Sequence, residues 1–293
     1  LKDINTYEVG TSDSGKIIKD YLRSKLQFSR RSIINLKKSG GVTINGSVCH
    51  MNTILKENDI VEISFQDSES ENILPEQMQL DIIFEDDYLI VLNKKTDMPV
   101  HPTRNHIMGT LANGLAYYWL NNDRPIKVRP INRLDKDTSG LVMFAKSAHI
   151  QHLLSYYVGR EEFKKEYIAI VHGQIREREG TIDLPIAREA EKSMKRVVHE
   201  DGDRAVTHFQ TMAVSETYSV VNIRLETGRT HQIRVHMSHI GHPLLGDTLY
   251  GGNQELISRQ ALHAERITML HPFTKKWHIF IASVPEDIQR LIL

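Results

Sequence analysis

Apolar residues recur at helical spacing twice near the start of the chain. Over residues 16–26, Ile17, Ile18, Tyr21, Leu22 and Leu26 fall on one face, which predicts a short amphipathic helix with Ser14 as its cap. A second helix is predicted to begin at Ser29, to set Ile33, Ile34 and Leu36 among Arg30, Arg31, Lys37 and Lys38, and to stop at Gly40-Gly41. The period then falls to two. Val42-Thr43-Ile44 and Ser47-Val48 flank Asn45-Gly46, residues that tolerate the positive φ of a tight hairpin, and residues 60–65 alternate as a further strand. Residues 66–79 are polar and acidic with no apolar period, and read as a linker.

Beyond residue 80 the pattern is mostly that of strands. Residues 80–84 and 88–94 predict a hairpin about Glu85-Asp86-Asp87, and residues 164–173, 206–214 and 218–225 predict three more strands. Helices are predicted over 110–120, with Leu111, Leu115, Tyr118 and Trp119 inward, over 149–157, and from the turn at 226–230 to Gly241 before Pro243. The basic, turn-rich residues 191–199 suit a solvated hairpin tip or the wall of a polyanion site. The expected fold class is α+β. A catalytic-sized domain over 80–293, with a mixed, mainly antiparallel sheet flanked by helices, follows a linker at 66–79 and a small helix and hairpin module at 1–65.

Composition narrows the field. The 293 residues hold 37 basic and 37 acidic side chains, so any binding of nucleic acid must rest on local clusters. Cys49 is the only cysteine, which rules out a disulfide within the chain and fits a reducing compartment. No apolar run is long enough to span a membrane, and the polar opening lacks the apolar core of a secretion signal. The expectation is a cytoplasmic protein without a membrane partner.

Candidate chemistry centres on Asn132-Arg133-Leu134-Asp135-Lys136-Asp137-Thr138-Ser139-Gly140, which precedes the apolar run 141–145. A loop held by a buried strand can display a reactive carboxylate, and neighbouring cations let one stay ionised away from water. The D-x-D also fits a magnesium-dependent phosphatase, but that motif should follow an apolar strand, and Arg129-Pro130-Ile131-Asn132-Arg133 stands there instead. A second cluster is Thr227-Gly228-Arg229-Thr230-His231-Gln232-Ile233-Arg234-Val235-His236. Its histidines, with His239 and His242, lack the carboxylate or cysteine partners of a known zinc spacing, so no metal is expected. Arg234, one turn after Thr230, could present a fixed cation to Asp135.

Taken together, Arg133-Leu134-Asp135-x-Asp137-Thr138-Ser139-Gly140, Lys165-x-Tyr167, the 227–236 cluster, Gly241-His242-Pro243-x-x-Gly246-Asp247 and Leu262-His263-Ala264 resemble the RluA-type pseudouridine synthases. Residues 14–65 similarly resemble the alpha-L RNA-binding motif first recognised in a ribosomal small-subunit protein, so the likeness runs over 14–284. Departures are Asn58 where glycine is common, the entry 16–19 without Arg-Leu-Asp, Asn132 for histidine, and Lys95 and Asp97 for Pro and Gly. The resemblance implies isomerisation of uridine in RNA, ribosomal RNA ahead of transfer RNA, with no cofactor; a monomer is the default expectation for two tethered domains. It implies Asp135 as the essential group and Arg234 as its bidentate partner. Tyr167 would stack on the base and serve in proton removal, Arg133 would fill the gap of a flipped-out nucleotide, and Leu262 would pack beneath. Arg229, Arg30 and Arg31 would bind RNA. The remaining alternative is an inactive relative that binds RNA during ribosome assembly.

Overall fold

The structure is a computed structural model that describes residues 4–65, 73–103, 106–122 and 126–292; the Arg31 side chain and the 66–72 part of the expected linker lie outside the described residues. In chain order the elements are β1 (Ile4–Glu8), α1 (Ile18–Ser24), α2 (Arg30–Ser39), β2 (Val42–Ile44), β3 (Ser47–Val48), β4 (Ile60–Ser64), β5 (Ile82–Glu85), β6 (Leu89–Lys94), α3 (Leu111–Asn121), β7 (Arg129–Pro130) and β8 (Ser139–Ala145). There follow α4 (Ala148–Tyr157), β9 (Phe163–His172), β10 (Glu179–Asp183), β11 (Ile186–Arg188), β12 (Arg196–Val198), β13 (Val206–Val214), β14 (Tyr218–Leu225), α5 (Gln232–His239), β15 (Leu262–Leu270), β16 (Trp277–Ile281) and α6 (Glu286–Ile292). The class is α+β, as the pattern predicts.

The first four strands form a sheet in the order β1-β4-β2-β3, with α1 and α2 closing a core of Ile18, Tyr21, Leu22, Phe28, Leu36, Leu55 and Ile63. Helix α2 starts where Ser29 accepts a hydrogen bond from the Ser32 N–H and ends at Gly40, whose φ of 63° is left-handed. Ser14 does not cap α1, which begins after extended Ile17, itself bridged to Ile54. The opening residues pair with β4 from Ile4↔Ser64 to Glu8↔Ile60, an edge strand whose few apolar positions left no readable alternation. Asn58 and Asp97, two of the departures from the glycine pattern, both have positive φ, and Asn and Asp are among the few side chains that accept it.

The large sheet runs β10-β13-β14-β9-β15-β8-β6-β5, with β16 added to β15 and β7 to β8. Among the described residues, β8 and β15 form its one parallel pair, joined at His263↔Ser139 and Ala264↔Gly140. Gly140 is required there: at φ 113° a Cβ would lie 2.2 Å from the Ala264 carbonyl oxygen. Every residue of β8 is buried because α3 covers Val142 and Phe144 on one face while α4 covers Leu141 and Met143 on the other. Residues 73–79, the described part of the expected linker, run along α3. Asn113 Nδ2 donates to the Leu74 carbonyl at 2.7 Å, and Met78 rests on Gly114, where a side chain would leave no room.

Helix α4 also meets the first sheet. His152 stacks on Phe28 with centroids 4.0 Å apart, Phe65 stacks behind Phe28, and Tyr7 Oη bonds His149 Nε2 at 2.7 Å. Burial pushes both histidines down to about 4, and His263 in the centre of the sheet likewise. The fold accommodates the neutral rings, so the unfolded chain binds more protons below the ordinary value of 6.5 and stability is lost as pH falls from there toward 4. We expect the melting temperature to drop through that window, and His152→Phe, which keeps a ring on Phe28 but cannot titrate, to soften the drop. Thermal melts followed by circular dichroism check this; an H152F curve that tracks wild type at every pH would contradict it.

Candidate active site

Residues 132–139 form a loop whose main chain is satisfied by side chains from distant segments. Asn132 acts as an extra backbone unit, donating to the Leu141 carbonyl at 3.0 Å and accepting from the Met143 N–H at 2.9 Å. Buried Lys94 donates to the carbonyls of Lys95, Met98 and Lys136, each at 2.8 Å, matching the three protons of an ammonium group. Burial draws its pKa down to about 7 against the pull of Asp137 and Asp135. Arg259 reaches the Asp137 carbonyl at 3.2 Å while gripping Asp287 with two bonds, and Gln260 donates to Thr138 Oγ1. Leu134 packs into the cores on both sides. Asp135 is thereby held at a fixed point, its side chain 27% exposed.

The partner of Asp135 comes from α5. Arg234 is buried; its Nε and Nη2 donate to the two oxygens of Asp247 at 2.7 and 2.8 Å, and its Nη1 donates to Asp135 Oδ2 at 3.0 Å. The bidentate grip expected on Asp135 therefore falls on Asp247, because the guanidinium fork faces the wholly buried carboxylate and only its remaining corner reaches the loop. Burial by itself disfavours the cation, but Asp247 and Asp135 outweigh it and raise the Arg234 pKa above its ordinary value. Beneath the guanidinium, 5.0 Å from its carbon, lies the ring of Tyr250. His231 Nε2 stands 3.8 Å from the same Asp135 oxygen.

A narrow cleft of about 60 Å³ opens on Asp135, lined by Arg133, Tyr167, Leu262, Arg229, His231 and Arg234. Six residues separated by up to 129 positions in sequence, all but His231 singled out for the site, thus meet there. Tyr167 and Leu262 are buried on adjacent strands β9 and β15, within the core that α5 covers. Burial, and then the charge of Asp135, push the Tyr167 phenol well above its usual range. Arg133 and Arg229 are exposed at the rim and also line a neighbouring cavity of about 560 Å³ with Arg188 and Arg196 of the β11–β12 hairpin. Residues 191–199 do belong to that hairpin. Arg30 is exposed at the start of α2, outside the cleft. The histidines do not converge: His236 bonds Thr207 and the Leu184 carbonyl, and His242 the His172 carbonyl. Lys94, Asp247, Tyr250 and Arg259 were not singled out as site residues; only Asp247 carried a signal, through Gly246-Asp247.

Comparison with known proteins bears on this geometry. Residues 88–239 match the family model described as RNA pseudouridylate synthase. The Bacillus subtilis (strain 168) protein named uncharacterized RNA pseudouridine synthase YjbO is 40% identical over 94% of this chain and 98% of its own length. Ribosomal large subunit pseudouridine synthase D of Escherichia coli (strain K12) is 36% identical over 93% of this chain and 86% of its own. The solved structure of human RNA pseudouridylate synthase domain containing 1 shares the fold, with a TM-score of 0.58 and 24% identity over 74% of this chain and 86% of that one. The chain belongs to the RNA pseudouridylate synthase family, and is an isomerase. Among the described residues no helix is long and apolar enough to cross a membrane.

Arg234→Lys keeps the charge but replaces three directed contacts by a point donor, leaving one buried carboxylate short of partners. We expect a stability loss of about 2 kcal/mol and a larger loss of activity. Urea unfolding and turnover of the variant check this, and wild-type values for both would remove the shared guanidinium from its central place.

Proposed function

We propose that this enzyme converts uridine to pseudouridine in ribosomal RNA, with Asp135 as the essential catalytic group. The observation that carries this reading is the asymmetry of one carboxylate. Oδ2 is taken by Arg234 and neighboured by His231, whereas Oδ1 has no hydrogen-bond partner among the described residues and is free for substrate. The reaction breaks the bond from C1′ to N1, turns the base, forms the bond from C1′ to C5, and moves a proton from C5 to N1. No atom is gained or lost, so a carboxylate with a place to hold the detached base suffices, without metal or organic cofactor.

The other residues fit parts of that task. A stacked uridine hides its glycosidic bond, so it must flip out, at a cost of a few kcal/mol that contacts in the cleft offset. Tyr167 stacks on the base and serves in proton removal, Leu262 forms the floor, and Arg133 at the rim fills the gap. Arg229, with Arg188 and Arg196, meets phosphates of the flanking strand. The name of the E. coli relative supports ribosomal RNA as substrate, as does the likeness of residues 14–65 to a ribosomal-protein motif. Those residues form a module that holds RNA through Arg30 and Arg31 at the N-terminus of α2, where helix dipole and charge act together. One chain carries both surfaces, so the enzyme works as a monomer, in the cytoplasm with its RNA.

Pseudouridine mapping of total RNA from cells with and without the protein, complemented by wild type or by Asp135→Asn, tests the core of this. We expect a ribosomal RNA site that vanishes on deletion and returns only with wild type. A site restored by D135N would remove the aspartate, a lost transfer RNA site would change the substrate, and no lost site would favour the inactive RNA binder. For the module, Arg30→Glu with Arg31→Glu should raise KM and flatten the salt dependence of binding by about one unit of slope per lost phosphate contact, leaving kcat unchanged. An unaltered KM at physiological salt would take the module out of substrate capture.

A further inference from the structure

His231 is held in an unusual way. Its φ of 58° is left-handed, a region that few non-glycine residues enter and in which Asn, Asp and His are the commonest of them. It occupies the N-cap of α5, yet its side chain makes no capping bond. The ring is committed elsewhere: Nδ1 lies 2.9 Å from Tyr250 Oη, and the two rings meet edge to face at 85°.

The bonds around Tyr250 assign the protons. The Arg196 main-chain N–H donates to Tyr250 Oη at 2.9 Å. The hydroxyl then has one proton to give, and His231 Nδ1 is the acceptor in reach. An Nδ1 that accepts leaves the ring proton on Nε2, the atom 3.8 Å from Asp135 Oδ2. The opposite tautomer would turn a lone pair toward a carboxylate. The charged groups around the ring are Asp135, Arg234, Arg196 and Asp247, and burial keeps its pKa below the ordinary value. Burial likewise raises that of Tyr250, which keeps the hydroxyl a donor.

We propose that His231 is a positioning residue for Asp135, locked in one tautomer by Tyr250 so that Nε2–H restrains the carboxylate from a second side. The need follows from the geometry of Arg234. Its fork is spent on Asp247, so a single Nη1 bond reaches Asp135, and a carboxylate held by one bond can swing about it. A second donor on the same oxygen fixes the carboxylate plane and keeps Oδ1 turned to the substrate. At 3.8 Å the contact is longer than a hydrogen bond, as catalytic contacts often are before substrate binds, and the proposal requires it to shorten in the complex. The left-handed backbone is what lets the ring lie against Tyr250 instead of capping its helix.

This rests on Asp135 as the catalytic carboxylate of the reaction proposed above. The test uses the full chain with unmodified transcripts of ribosomal and transfer RNA, and compares wild type, Tyr250→Phe, His231→Asn and the double variant. Y250F keeps the ring beneath Arg234 and loses the hydroxyl; H231N keeps a residue that accepts positive φ. Each should slow single-turnover pseudouridine formation about tenfold, and the double variant should be no slower than either. RNA affinity should match wild type and every variant should stay folded at the assay temperature, with Y250F melting slightly lower because the Arg196 N–H loses its acceptor, a split that a purely structural role would not give. Single-variant rates within twofold of wild type, losses that multiply in the double variant, or losses carried by affinity or stability would each overturn the proposal while wild-type turnover keeps the reaction. A wild type that forms no pseudouridine on either RNA would remove the reaction and this role with it.

Discussion

A guanidinium taken out of water is costly unless carboxylates and hydrogen bonds replace the solvent, and Arg234 meets that demand with two partners of different character. Asp247, whose side chain is 1% exposed, receives two of its three bonds; Asp135, at 27%, receives one. The division follows from exposure. A fully buried anion needs every available donor, so Asp247 anchors the cation and in turn fixes α5 against the segment after Gly246. The partly exposed anion keeps an oxygen and access to solvent or substrate. One arginine thus ties three stretches of chain, around residues 135, 234 and 247, into a single electrostatic unit. A lysine's point charge could not serve the same geometry.

The loop that carries Asp135 depends on a second constraint, the demand of buried main-chain carbonyls for donors. Lys94 answers for the Lys136 carbonyl and Arg259 for that of Asp137, while Asn132 bridges to β8. These donors come from β6 and from the segment before β15, the two strands on either side of β8 in the sheet. Gly140 permits the close approach of β15 that brings Arg259 and Gln260 within reach. The sheet's one described parallel pairing and the rigidity of the loop are therefore aspects of the same packing.

Most local structure was legible because its causes are local. Ser29 and Gly40 mark the ends of α2, Thr110 caps α3 through its bond with the Asn113 N–H, and the alternating runs of β13 and β14 fall where periodicity puts them. Strands β1 and β10–β12 were harder to see, being short or half exposed, with too few apolar positions to show a period. Asp135, Arg234, Tyr167 and Leu262 were named through motif resemblance, and they do share a cleft. What resemblance did not supply was the pairing of Asp247 with Arg234 or the donors beneath the loop. Those contacts span 9 to 122 residues and end on main-chain atoms as often as on side chains, so no residue type at one end announces the other.

The two cavities beside Asp135 differ in a way that bears on how a polyanion is read. The inner cleft, about 60 Å³, holds the volume of about two waters and has buried Tyr167 and Leu262 in its lining. The outer one, nearly tenfold larger at about 560 Å³, is edged by four arginines and by Asp201 and Asp203. In the proposed reaction a flat base would gain from the first by excluding the little water present, and a phosphodiester from the second, where guanidinium groups offer paired donors. Arg133 and Arg229 belong to both walls. A ligand seated across them must place charge outside and an apolar face inside, and Arg133, next but one to Asp135 in the chain, stands at the boundary.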